Sequence, residues 1–178
     1  MKKILFIFLI TFSLNSYSQT DTSNFIIEES KVLWQKIYDT DLTKDELKTS
    51  IKESGLFTNI EINEDKIQAE LKQQKIDISK TKYSVMGIPV FVTLNDYKGL
   101  VIIELKEKKY RVTFKNIILV ITRETMLGKV GDENPFEYWL KKGKNEFLKP
   151  FFPKPNDIYL VNFKDKFIFT KPKTSSDW

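Results

Sequence analysis

The fold of this protein is decided by two neighbouring stretches, which read LVIIELK at 100–106 and KYRVTFKNIILVI at 109–121. Apolar and polar residues alternate through the first stretch and the start of the second, a pattern typical of β-strands with one buried face. Only Glu107 and Lys108 separate the stretches, so we predict a tight turn and an antiparallel hairpin. The apolar run 117–121 has lost the alternation, which predicts a strand end covered on both faces.

Further short strands are predicted on the N-terminal side of this hairpin. The segment 30–38 is rich in β-branched and aromatic residues and predicts a first strand. Ile60 and Ile62 alternate with polar residues, as do the apolar residues of 67–71, which predicts a second hairpin. Residues 75–89 are predicted to form a loop, and residues 90–94 a short strand.

Two helices are predicted, and a third segment is ambiguous. Thr43 and Glu46 have the spacing of a capping box, so a helix is predicted over 43–54. Asn134 and Pro135 fit the N-cap and first position of a second helix over 134–148, which would present an apolar stripe. The stretch 156–170 fits either a helix or a last strand, and we favour the helix.

These elements predict an α+β fold in which a curved antiparallel sheet carries two helices on one face, in the order β-α-β-β-β-β-α. We divide the mature chain into a polar lead-in at 19–29, a domain at 30–148 and an aromatic C-terminal extension at 149–178 that ends in a loose tail. A mature chain of this size can bury a sufficient core without disulfides.

The N-terminus has the features of a secretory signal peptide over residues 1–18. Two lysines precede the apolar stretch 4–14, which is too short to span a bilayer comfortably. Ser16 and Ser18 occupy the small-residue positions before a cleavage site at Gln19. We therefore expect an exported protein, in the periplasm or outside the cell, with no stable membrane span after cleavage.

Composition excludes several function classes. The 178 residues include no histidine and no cysteine, so Ser-His-Asp and Cys-His nucleophilic systems, zinc fingers and disulfides are excluded. The signal peptide holds two of the 29 basic residues and none of the 24 acidic ones, so the mature chain has a net charge of +3. Only Arg111 and Arg123 are arginines, and lysines alternate with acids along the chain. We therefore expect no nucleic-acid binding.

The stretch 101–114 and the order of elements resemble a bacterial domain of unknown function with a TATA-binding-protein-like fold, common in exported proteins of Gram-negative bacteria. The most recognisable part of that domain is a Lys-Asp-Gly-Arg-Tyr-Arg-like turn between two strands. The turn here reads KEKKYR at 106–111, in which Tyr110 and Arg111 fit and Glu107 and Lys108 replace Asp and Gly. The resemblance implies the fold and no activity, and TATA-box binding does not transfer with it.

Three local patterns are candidate sites of catalysis or ligand binding. Ser79 and Lys82 match a Ser-x-x-Lys nucleophile pattern, but no companion motif is present, so we expect no catalysis there. The run 132–134 lacks the oxygen spacing of a calcium loop and fits a helix cap better. We expect Tyr110 on the core face and Arg111 on the outer face, paired with an acid such as Glu104.

The function favoured by the sequence is a non-enzymatic interaction or structural module without cofactor or metal. The adjacent aromatics Phe151 and Phe152 form a candidate patch for an envelope or extracellular protein, although the same segment could wrap the sheet edge. One alternative is a carrier of a small apolar ligand, held between the sheet and the second helix near Phe136 and Trp139. A second alternative is a carboxylate-based hydrolase.

Overall fold

The computed structural model describes residues 24–126, 128–152 and 154–171 and contains a seven-stranded antiparallel sheet. The strands of this sheet are β1 (Phe25–Glu28), β2 (Lys31–Asp39), β3 (Phe57–Ile62), β4 (Lys66–Gln74), β5 (Asn95–Lys106), β6 (Lys109–Ile121) and β7 (Glu133–Pro135). Six of them lie in the order β1-β2-β6-β5-β4-β3, and β7 pairs with the end of β6. The remaining elements are α1 (Lys44–Glu53), α2 (Val90–Thr93), α3 (Glu137–Leu140), α4 (Lys154–Lys166) and a small hairpin of β8 (Lys141–Lys142) and β9 (Glu146–Phe147).

The predicted central hairpin is confirmed as β5 and β6. Leu105 pairs with Tyr110 and Lys106 with Lys109, and Lys108 takes a positive φ of 57° in the turn. The register shifts at Gly99, where a side chain would not fit. A Cβ atom on Gly99 would lie 2.8 Å from the carbonyl oxygen of Asn116 and 2.9 Å from the Phe114 ring. Glycine at this position therefore allows the two longest strands to pack closely through the bulge.

One face of the sheet carries the hydrophobic core, and the opposite face is largely polar. Alternate residues of the central strands, among them Trp34, Ile103 and Phe114, are fully buried. Their neighbours Gln35, Glu104 and Thr113 face the other way and remain partly accessible. Helices α1 and α4 contribute their buried side chains to the same core. The predicted α+β fold with an antiparallel sheet and helices on one face is confirmed.

The capping box predicted for α1 is present. The Oγ1 of Thr43 accepts a hydrogen bond from the Glu46 amide at 3.2 Å, and the Glu46 carboxylate accepts one from the Thr43 amide at 2.9 Å. Leu47 and Ile51, one helical turn apart, are the buried residues of this helix. The helix therefore begins where its free amides are satisfied and is held by one apolar stripe.

The C-terminal segment forms helix α4, in agreement with the favoured interpretation, and fills the centre of the core. Phe163 is fully buried, and its ring centroid lies 4.9 Å from Tyr97, 5.1 Å from Phe114 and 5.9 Å from Trp34. Phe169, further along the chain, is also a core residue. The hydrophobic core thus continues well beyond residue 148, the predicted end of the domain, and includes part of the predicted C-terminal extension.

Two tyrosines on neighbouring strands hold the end of α4. Tyr38 and Tyr110 stack with their centroids 5.0 Å apart. The hydroxyl of Tyr38 donates to the Lys164 carbonyl at 2.9 Å, and that of Tyr110 donates to the Phe167 carbonyl at 2.8 Å. Burial raises the pKa of Tyr110 to about 12, so the phenol stays protonated and remains a donor at neutral pH.

The predicted helix over 134–148 is wrong. Asn134 lies in β7 and pairs with Leu119 of β6, because β6 extends beyond the point where β2 begins. Helix α3 is a single turn, and the chain then reverses through Gly143, which has a φ of 64°. The helix-bearing face that this segment was expected to cover is occupied by α4.

Two shorter predictions also fail. Residues 90–94 contain the helical turn α2, which begins after Pro89 and is closed by a 3.0 Å bond from the Leu94 amide to the Val90 carbonyl. The lead-in at 19–29 contains strand β1, which is connected to its neighbour β2 by a two-residue turn at Glu29 and Ser30. Both residues of that pair have positive φ, as a two-residue hairpin requires.

Some predictions concern residues outside the described ranges. The signal peptide over 1–18, the cleavage site between Ser18 and Gln19, and most of the loose C-terminal tail belong to these. Within the described ranges, no helix combines the length and the apolar character needed to cross a bilayer.

We predict that Phe163→Ala lowers the free energy of unfolding by about 3–5 kcal/mol, because it removes a large ring from a fully packed site. Phe152→Ala, which shortens the same residue type at a partly exposed site before α4 begins, should cost less than about 1 kcal/mol. Urea denaturation of both variants measures the difference. Equal costs would show that α4 is a peripheral addition.

We predict that Tyr110→Phe costs about 1–2 kcal/mol, because it leaves the buried Phe167 carbonyl without its donor. Tyr138→Phe is the matched control, since that side chain is 70% exposed and should change stability by less than about 0.5 kcal/mol. A stability for Tyr110→Phe within this control range would contradict a structural role for the hydroxyl.

Candidate interaction surface

The antiparallel pairing brings several connections to one end of the sheet. Gln74 pairs with Tyr97 and Asn95 pairs with Ile121, so the segments after β4, before β5 and after β6 all leave the sheet together. The Thr122 amide donates to the Leu94 carbonyl at 2.9 Å, which ties two of these connections side by side. We call the surface formed by residues 82–94 and by the described residues between 122 and 154 the loop end.

The loop end carries most of the exposed large apolar side chains of the described chain. Ten such side chains are exposed among the described residues, and seven of them lie here. They are Val85, Met86, Val90, Met126, Val130, Tyr138 and Phe152. Met86 and Met126 are the most accessible, at 98% and 105% of full exposure. An exposed group of this kind on one surface is typical of a binding site.

The loop-end segments are held in place by the core. Ile88 and Val92 are buried and fix the segment that exposes Val90 between them. The Gly87 carbonyl accepts a hydrogen bond from the Lys154 ammonium at 2.8 Å, which connects this segment to the start of α4. Met86 therefore projects from a segment that is fastened on both sides.

The second projecting segment is the continuation of β6 and β7 beyond the sheet. The Ile121 amide donates to the Asp132 carbonyl at 2.9 Å, and the Thr125 amide donates to the Gly128 carbonyl at 3.0 Å. The segment after β6 and the segment before β7 therefore lie side by side and meet at a tip. Met126 lies at this tip. The tip thus presents a thioether side chain to solvent, while Gly128 at its base lies against the buried Ile121 side chain.

An aromatic stack lies between these segments. Phe91 and Trp139 are parallel with centroids 5.4 Å apart, and Tyr138 meets the Trp139 ring edge-on at 5.0 Å. Phe91 and Trp139 are half-buried and Tyr138 is exposed. The stack joins α2 to α3 and places an exposed phenol beside a tryptophan.

The two predicted partner-binding residues separate in the structure. Phe151 is buried at 1% exposure, with its ring 5.3 Å from Phe25 and 5.4 Å from Phe147. Phe152 is 42% exposed and belongs to the loop end. Phe151 therefore fastens the segment to the core, while Phe152 remains accessible.

The side chains of the two predicted ligand-pocket residues face different neighbours. Phe136 is fully buried, and its ring packs edge-on against Tyr159 at 4.8 Å. Trp139 faces Phe91 instead. The helix expected to form one wall of the pocket is absent, so this pair does not enclose a common space between sheet and helix.

On the open face of the sheet, Arg111 and Glu104 form the cross-strand pair expected from the sequence. The Arg111 Nε and Nη2 donate to the two Glu104 oxygens at 2.6 and 2.7 Å, a bidentate arrangement. The hydrogen bonds from Arg111 hold the pKa of Glu104 below its usual value. A hollow of about 220 Å³ lies over this pair and is bordered by Ile37. Tyr110, as expected, is on the core face.

The patterns weighed for catalysis have structural partners. The Ser79 hydroxyl donates to the Asp77 carboxylate at 2.5 Å, and the Lys82 ammonium lies over the Tyr83 ring. Glu133 pairs with Lys98 at 2.5 Å across the sheet and does not lie beside a helix terminus. No Ser-Lys pair and no helix-capping role for the 132–134 run are formed.

Carboxylate chemistry has weak support. Asp41 and Glu107 border one hollow of about 500 Å³ at the end of the sheet opposite the loop end, but both are exposed and three lysines border the same hollow. An acid and base pair needs two different environments, which these carboxyls lack. Among the described residues, no group of three or more carboxylates is placed to hold a metal ion.

The loop end was missed at the sequence level, although a signal existed. Val85 and Met86 stand next to Gly87, and Met126 lies two residues before Gly128, so large apolar residues occupy turn-forming segments. An apolar residue in a turn has no strand or helix face to bury it. Their positions between predicted elements indicate only connections, which is why no role is predicted for them.

The elements define an α+β protein whose sheet has one covered and one open face, and two solved structures are similar to it. One is a TBP-like protein from Parabacteroides distasonis, with a TM-score of 0.46 and 12% identity over 79% of this chain and 93% of that one. The other is a DUF4468 family protein from Bacteroides ovatus, with a TM-score of 0.44 and 13% identity over 81% of this chain and 85% of that one. No family model and no curated protein matches the chain.

We predict that Glu104→Gln lowers the free energy of unfolding at neutral pH by about 0.5 kcal/mol, since the pair is partly exposed and screened. The folded pKa of Glu104 is lowered from 4.5, so the pair stabilises the protein above about pH 4.5. This stability is lost as the pH falls through the lowered pKa, so wild type and variant should converge in acid. Denaturation series at several pH values test this, with Glu107→Gln as an unpaired control. A difference that persists in strong acid would contradict it.

Proposed function

We propose that the protein is an exported, non-enzymatic interaction module that contacts a component of the cell envelope through its loop end. One observation carries the proposal: seven of the ten exposed large apolar side chains among the described residues lie on this surface. The secretory features of residues 1–18 support export.

The packing of the interior favours a surface function over the alternatives. Phe136 and Phe163, which lie between the sheet and its cover, are fully buried among other aromatic rings. A carrier would need interior space at that place. Burial also raises the pKa of Tyr97 and of Tyr159 far above neutrality, so these phenols stay protonated and supply no base.

Retention of the exported protein on a native envelope fraction tests the proposal. We expect Met86→Ser/Met126→Ser to weaken retention by roughly tenfold or more, because two fully exposed apolar side chains are lost from the contact. Phe152→Ser should weaken it as well. Neither change touches a buried residue, so folding should be preserved.

The matched control is Ile37→Ser/Ile168→Ser, which removes two exposed apolar side chains outside the loop end. This control should retain wild-type binding. Equal retention of the loop-end variant and the control would refute the assignment of the surface, and no retention of wild type would refute the proposed function.

A further inference from the structure

We infer that the loop end docks on a lipid bilayer surface that carries anionic headgroups. The inference rests on the proposed function and names the partner of the same surface. It differs from the protein partner suggested by the sequence, and three properties of the loop end favour lipid.

The first property is the shape of the apolar surface. Met86 and Met126 stand on two separate projecting segments, and each is almost fully accessible. Side chains on separate tips do not form one groove or one flat patch that a folded partner could fill. A fluid bilayer accepts separate apolar side chains individually, each with a gain from leaving water.

The second property is the aromatic stack. Tyr138 meets the edge of Trp139 and exposes its phenol, whereas the indole nitrogen of Trp139 is buried. Tyrosine and tryptophan are enriched at the boundary between lipid and water, where the ring is in apolar surroundings and the polar atom reaches the headgroups. The Tyr138 phenol is therefore suited to the headgroup layer, which adjoins the apolar layer that Met86 and Met126 would enter.

The third property is charge. The loop end contains eight basic and five acidic residues, whereas the rest of the chain from residue 19 contains nineteen of each. The net charge of +3 of the mature chain thus belongs to this surface. Among the described residues, none of the eight basic side chains has a carboxylate partner in an ion pair; they are Lys82, Arg123, Lys129, Lys141, Lys142, Lys144, Lys149 and Lys154. Basic groups on the same surface as exposed apolar side chains favour a membrane with anionic lipid.

Vesicle co-sedimentation at low salt tests the inference directly. The probes are vesicles of three parts phosphatidylethanolamine to one part phosphatidylglycerol, and vesicles of phosphatidylcholine alone. We expect the exported protein to bind the anionic vesicles at least roughly tenfold more tightly than the neutral ones, and to be released by salt.

Two pairs of variants separate the apolar and the charged contributions. Met86→Ser/Met126→Ser should weaken binding to anionic vesicles by roughly tenfold or more, while Ile37→Ser/Ile168→Ser should not. Arg123→Gln/Lys129→Gln should weaken it by roughly tenfold or more. Lys106→Gln/Lys108→Gln, at the opposite end of the sheet, removes the same charge and should have no comparable effect.

The inference is overturned if wild type binds neither kind of vesicle, if it binds both equally, or if the loop-end variants bind like their controls. Comparing vesicle binding with retention on the envelope fraction distinguishes failure of the lipid inference from failure of the proposed function. Envelope retention that depends on Met86 and Met126 without vesicle binding would identify a protein partner and leave the interaction function standing. Absence of both would remove the two proposals together.

Discussion

The structure depends on the packing of one ring, that of Phe163, against the covered face of the sheet. The ring is fully buried and has aromatic neighbours on β1, β2, β5 and β6, including Phe25, Trp34 and Tyr97. Each aromatic contact contributes about 0.5–1.5 kcal/mol beyond the area it buries. A residue near the C-terminus therefore links strands from both halves of the chain, and the sheet has a complete core only when α4 is in place.

The position of α4 also determines what the rest of the chain can do. The Ser50 hydroxyl donates to the Thr170 carbonyl at 2.8 Å and Lys171 pairs with Glu46, so the chain after α4 returns to α1. The two helices and this return complete the cover of the apolar face. With that face filled by packed side chains, the surfaces left for function are the open face and the two ends of the sheet.

The elements that could be predicted from the sequence are those whose formation is decided by residues close together in the chain. The alternation in 100–121 and the Thr43 capping box each specify an element through residues a few positions apart, and both are correct. Asn134 and Pro135 carry an equally good local signal for a helix, but pairing with β6 satisfies their backbone instead. Whether these residues begin a helix or a strand depends on where β2 begins and where α4 packs. Both are determined by contacts between distant parts of the chain.

The same distinction explains why the candidate site could be predicted only in part. Phe151 and Phe152 are adjacent aromatics with no local signal to say which is buried, because the burial of Phe151 depends on Phe25, more than a hundred residues away. The grouping of Met86 with Met126 follows from the register of β5 and β6 and has no local signature. Arg111 and Glu104 were paired in advance because the hairpin itself sets their register.

The apolar residues of the loop end are not explained by the needs of the fold. The core is completed by Ile88 and Val92 on one side of the loop end and by Phe136 and Leu140 on the other. Val90 and Met86 contribute little to it, since both are largely accessible. A serine at either position would leave the packing of the core unchanged and would make the surface more soluble. The proposed contact gives their apolar character a physical role, since it would cover this end of the sheet with something other than water.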